Sequence, residues 1–177
     1  IKDILGSKGA GLAEMSSMGI NVPSGFVITT RLFRYFYDNN HQFPPDFEEE
    51  LKQNIKGIEE KEGKRFGDSS NPLLFSVRSG SKYSMPGMMD TILNLGIQQE
   101  SIKYLTSKAD AKFIHDCFRR FCMMYGSIVC KLSELKFEQI MNFSLEENSI
   151  GNISDLPHNI LETISIKHRE LLGSDAN

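Results

Sequence analysis

Apolar and polar positions divide the chain into two stretches of different rhythm. In "ILGSKGAGLAEMSSMGI" the residues Leu12, Met15 and Met18 recur at three-residue spacing, and Gly19 follows. That pattern predicts a Gly-rich turn running into a short helix that stops at Gly19. Pro23 and Gly25 then mark a turn, and Phe26 to Thr30 predicts a short β-branched strand. "TRLFRYFYDNN" predicts a helix with Thr30 as N-cap and Leu32, Phe33, Phe36 and Tyr37 on one side. Pro44 and Pro45 break the chain before "DFEEELKQNIKGIEEKEGKRFG". There Asp46 is the cap candidate, with acidic residues in the first turn and basic ones in the last, as the helix dipole favours. "PLLFSVRS" predicts a buried strand with a loop at its C-terminal end, "DTILNLG" a second strand, and "GIQQESIKYLTSK" a helix behind it. Residues 1 to 97 thus predict helices and strands around one sheet.

From residue 98 the rhythm is helical throughout. Phe113, Ile114, Cys117, Phe121, Met124 and Tyr125 fall at helical spacing after a cap at Asp110. "SELKFEQIMNF" and "LPHNILETISIKHRELLG" are further amphipathic stretches, the latter with Pro157 near its start. The pattern gives an α+β class: a mixed subdomain over 1–97, then a helical subdomain over 98–177. The chain ends "GSDAN" with no closing strand, which leads us to expect a fragment.

Composition narrows the functional classes. Twenty Lys and Arg against 23 Asp and Glu give a net charge of −3, unlike the basic footprint of a nucleic-acid binder. No apolar run approaches the ~18 residues of a membrane helix, and no secretory h-region opens the chain. Cys117, Cys122 and Cys130 lie in one helical stretch; three cysteines without a signal peptide suggest reduced thiols and a cytoplasmic protein, with an organelle as the alternative. The sequons at Asn142 and Asn152 then carry no meaning.

The candidate chemistry lies in two Gly-rich segments. "SVRSGSKYSMPGMMDT", residues 76 to 91, is too rich in small residues for a core strand or an amphipathic helix. Arg78 ends the expected strand, where open α/β sheets bind ligands. Ser79, Gly80, Ser81, Ser84 and Gly87 let N–H groups and hydroxyls converge on an anion. Arg78 adds a planar fork of donors suited to phosphate, and Lys82 a mobile charge. Met85, Met88 and Met89 flank Pro86 and Gly87 as an adaptable apolar patch. The competing reading is an ordinary surface loop. In "LGSKGAGLAEM" Gly6, Gly9 and Gly11 surround Lys8 at a helix start, where unpaired N–H groups attract anions. The spacing is neither that of a Walker A loop nor that of a dinucleotide fingerprint. Together, Lys8 and Arg78 could serve a triphosphate, whose charge is spread over many oxygens. His41, His115, His158 and His168 show no metal spacing, and core cysteines explain His115-x-Cys117 better than zinc does.

The words "LGSKGAGLAEM", "VPSGFVITT" and "KRFGDSSNPLLFSVRSGSKYSMPGMMDTILNLG" resemble the N-terminal nucleotide-binding region of the pyruvate, phosphate dikinase family, in the phosphoenolpyruvate-utilising group. The resemblance runs from residue 1 to about 130 and is most specific from 66 to 97. "MPGMMDT" stands where water-dependent relatives carry a stretch closer to "FAGQQET", which favours the phosphate-dependent enzyme over the synthase. A non-catalytic anion-binding module is the remaining alternative.

The resemblance implies an ATP-grasp-like first subdomain followed by a helical insertion. It implies a reaction of ATP, phosphate and pyruvate giving AMP, diphosphate and phosphoenolpyruvate through a phosphohistidine on another domain. It also implies Mg2+ entering with ATP, metal ligands outside this chain, and a homodimeric whole enzyme. By resemblance Lys8 and Arg78 bind the nucleotide's phosphates, and Gly87, Met89 and Asp90 belong to the loop lining the nucleotide site. No catalytic residue is expected in the chain itself. Ser7 stands where the family usually has a second Gly, and Gly11 where it usually has Asn. A Ser forced to positive φ there would be strained.

Overall fold

A computed structural model describes residues 2 to 80 and 90 to 174. Its order is α1 (Lys2–Ser17), α2 (Thr30–Asp38), α3 (Phe47–Glu62), β1 (Arg65–Phe66), β2 (Pro72–Leu73), β3 (Phe75–Arg78), β4 (Thr91–Leu95), α4 (Gln99–Thr106), α5 (Ala111–Ile128), α6 (Glu134–Glu147) and α7 (His158–Ser174). The mixed α+β class is as expected, and from Gln99 onward the described residues form helices alone. Among the described residues no helix is long and apolar enough to cross a membrane. The described chain divides into two units: residues 2–64 with 78–80, and residues 65–77 with 90–174.

In the first unit α1 bends at Gly6. The Thr30 hydroxyl donates to the Asp3 carbonyl at 2.6 Å, tying the start of α2 to the start of α1. Thr29 takes the cap position and Thr30 opens the helix, one residue earlier than expected. The strand expected at Phe26 to Thr30 does not form, and residues 20–29 are irregular. β-branched residues favour extended backbone, but a strand exists only where a neighbour accepts and donates its ladder bonds, and no described strand pairs with this segment. α3 follows Asp46, whose side chain makes no cap bond, and ends at Gly63 with a left-handed φ of 63°. Phe43 stacks on Phe47 with ring centroids 4.7 Å apart, closing the approach to that helix.

The second unit corrects the expectation of a single sheet. β1 and β2 pair in parallel, Arg65 opposite Pro72 and Phe66 opposite Leu73, while β3 pairs with β4 in a separate two-stranded sheet. The run "PLLFSVRS" is thus broken at Leu74, and its burial decays along its length. Pro72 and Leu73 are buried, Leu74 and Phe75 half-buried, and Ser76 to Arg78 exposed. Two-stranded sheets have too little surface to cover both faces of a strand. Between β1 and β2 the Asp68 carboxylate accepts from the N–H groups of Ser70 (2.6 Å) and Asn71 (3.1 Å), which hold its pKa below the ordinary value.

The helices supply most of the core. The Asp110 carboxylate caps α5 by accepting from the Phe113 N–H at 2.9 Å. Periodic apolar positions then bury Ile114, Phe118 and Cys122, the last two packing with Ile97. α6 contributes Phe137 and Met141, and α7 contributes Leu161 and Ile164 beside Leu156.

Candidate functional site

The bend in α1 explains how Lys8 is presented. Gly6 has φ 71° and ψ 172°, a conformation open essentially to glycine alone. The helix restarts immediately beyond it. Lys8 therefore stands, half-buried, in the first turn beyond that bend, and the start of a helix is where backbone N–H groups and the dipole favour anions. Positive φ falls on Gly6 and not on Ser7, so the serine is not forced into the strained left-handed region.

Arg78 is the last residue of β3, and Ser79 and Gly80 follow it, all three exposed. The position at a strand's C-terminal end is as expected; the burial of that strand end is not. Lys8 and Arg78 fall in the same unit, the boundary passing between Val77 and Arg78. Neither side chain forms an ion pair with another described residue. Asp90 is exposed and belongs to the other unit. Gly87 and Met89, with Ser81, Lys82, Ser84, Met85 and Met88, lie outside the described residues.

Among the described residues no three His, Cys, Asp or Glu side chains come together in a way that could hold a metal ion.

Other ionisable groups of the second unit serve packing. His168 on α7 is 1% exposed, with Nε2 3.1 Å from the Phe137 carbonyl oxygen and Nδ1 3.4 Å from that of Arg119. A neutral ring carries one N–H and can donate to only one of them. Burial pushes its pKa down to about 4. The periodicity of Leu161, Ile164 and His168 is the sequence signal for this burial. His115 is also buried, its Nδ1 has no hydrogen-bond partner among the described residues, and burial lowers its pKa. Cys122 is fully buried, which raises its thiol to about 12. Such a thiol is a core residue and not a nucleophile. Cys130, by contrast, is exposed.

A Gly-made bend thus precedes Lys8, and Arg78 ends a strand before Ser79 and Gly80, in a chain of mixed α+β class. Residues 2–43 and 39–125 match the family model described as "Pyruvate phosphate dikinase, AMP/ATP-binding domain", and the chain belongs to that family. It is 50% identical over 165 residues to the pyruvate, phosphate dikinase of Rickettsia conorii, covering 93% of this chain and 19% of that protein. It is 37% identical to that of Clostridium symbiosum, covering 100% of this chain and 20% of the relative. With the chloroplastic pyruvate, phosphate dikinase 1 of Zea mays it shares 38% identity, covering 97% and 18% respectively. The chain thus spans about a fifth of the length of these relatives.

Proposed function

We propose that this chain is the N-terminal ATP-binding part of a pyruvate, phosphate dikinase and that Lys8 and Arg78 hold the nucleotide's phosphates. The observation that carries this is the presentation of the two cations. One follows a glycine bend at a helix start, the other ends a strand before Ser79 and Gly80, and both belong to one unit without an ion-pair partner among the described residues. A triphosphate spreads its charge over many oxygens, so donors of different geometry serve it better than one cluster. Lys8 is a compact charge assisted by backbone N–H groups, and Arg78 is a planar fork suited to two oxygens at once.

On this reading the chain is the first wall of an ATP-grasp-like cleft, with the residues of the loop before β4, Gly87, Met89 and Asp90, lining the nucleotide site. Mg2+ enters with ATP and finds its protein ligands elsewhere. For the products to be AMP and diphosphate, a histidine on another domain takes the diphosphoryl end of ATP and releases AMP. Inorganic phosphate accepts the terminal phosphoryl to leave as diphosphate, and the remaining phosphohistidine phosphorylates pyruvate. The whole enzyme is a homodimer. The role of this chain's own residues is to bind and orient the phosphates and to neutralise their charge.

The test is phosphorylation of the full-length natural protein by labelled ATP. Arg78→Ala removes a charge-assisted contact worth about 1.5–3 kcal/mol, and so lowers the ATP half-reaction roughly ten- to a hundredfold. Exchange between pyruvate and phosphoenolpyruvate stays as it was. Lys8→Ala acts in the same direction. Unchanged ATP-dependent labelling in both variants removes the reading.

A further inference from the structure

Glycine is, after proline, the weakest helix former, yet α1 carries Gly9 and Gly11 directly beyond its bend. The two are not equivalent. A methyl group placed on Gly11 would meet nothing within 4 Å. On Gly9 it would stand 3.2 Å from both Val27 Cγ1 and Val27 Cγ2, and 3.3 Å from Leu5 Cβ.

We propose that Gly9 is a positioning residue for Lys8. Its missing side chain lets the turn beyond the Gly6 bend close onto Val27 and Leu5, and that approach sets where the Lys8 ammonium meets the phosphates of ATP. The inference rests on the reading of Lys8 as a phosphate ligand.

Three features make the approach hard to relax without moving Lys8. Both methyl groups of Val27 face position 9 at equal distance, so any staggered turn of the side chain about its first bond still leaves one of them there. Leu5 Cβ is one bond from the backbone and moves only with it. The segment of Val27 is itself fastened to α1, because Thr30, three residues on, donates to the Asp3 carbonyl at 2.6 Å. A methyl group at position 9 therefore shifts the turn carrying Lys8 by some tenths of an ångström. Charge-assisted contacts respond steeply to displacements of that order.

Calorimetric titration of the full-length natural protein with Mg-ATP tests this, with thermal unfolding recorded for each variant. Gly9→Ala raises the Kd about three- to tenfold, and Gly11→Ala leaves it within about twofold. Gly9→Ala adds nothing in a Lys8→Ala background, which a merely structural defect would not respect. Gly9→Ala/Val27→Ala makes room for the methyl group and returns the Kd to within about twofold of the natural protein. That double variant carries the test if Gly9→Ala alone is too unstable to purify. If Lys8→Ala weakens binding and Gly9→Ala does not, or if the Val27 change fails to restore it, the inference falls and the role of Lys8 stands. If Lys8→Ala itself leaves the Kd unchanged, the phosphate reading of Lys8 falls and takes the inference with it.

Discussion

At Gly126 of α5 a side chain has nowhere to go. A methyl group there would lie 2.5 Å from Phe137 Cζ and 2.9 Å from Leu172 Cδ2. Phe137 is 0% exposed, so its ring cannot swing away into solvent. Overpacking of this kind costs about 1–3 kcal/mol. Gly126→Ala should therefore lower the urea midpoint of this chain despite the better helix propensity of alanine. A midpoint equal to or above that of the natural sequence would show that α5, α6 and α7 pack more loosely than described. The same residue-scale logic separates what the sequence shows about the candidate site from what it hides. Lys8 is conspicuous because it stands between Ser7 and Gly9, and Arg78 because Ser79 and Gly80 follow it where the apolar run ends. The place of the positive φ, on Gly6 and not at position 7, is a property of backbone geometry, and residue identity alone left both open.

Elements defined by local chemistry were legible, and those defined by distant partners were not. Asp110 caps α5 and Gly63 ends α3 because each supplies what its own helix end lacks. The segment Phe26 to Thr30 has strand-like residues but no strand beside it, and "PLLFSVRS" breaks at Leu74 because its two parts pair with different strands. His168 belongs to the same class of hidden information: its ring joins α7 to the carbonyls of α5 and α6. Its pKa of about 4 in the fold, against 6.5 when unfolded, sets a pH dependence. The folded ring stays neutral while the unfolded chain takes up a proton below pH 6.5. The contribution is therefore complete above pH 6.5 and declines as the pH falls toward 4, by roughly 3 kcal/mol in all. His115 adds in the same direction. Urea unfolding of this chain between pH 7.5 and 4.5 should show that loss, and His168→Gln should flatten it. An equal slope in the variant would mean that the ring is solvated or already charged in the fold.

The chain spans about a fifth of the length of its relatives, and its first unit leaves large apolar side chains in solvent: Leu12 is 46% exposed, Met18 70% and Phe33 66%. On the proposed reading the adenine pocket and the metal carboxylates belong to the remainder of the enzyme. Two charge contacts supply about 3–6 kcal/mol before the cost of association, so this chain alone should bind Mg-ATP at millimolar concentration or not at all. Submicromolar binding by the isolated chain would place the complete site inside it. The most direct measurement of the central claim is Mg-ATP titration of the full-length natural protein beside its Lys8→Ala/Arg78→Ala variant. The account predicts a loss of affinity of a hundredfold or more, with each single change giving about ten- to a hundredfold. An affinity unchanged in the double variant would contradict it.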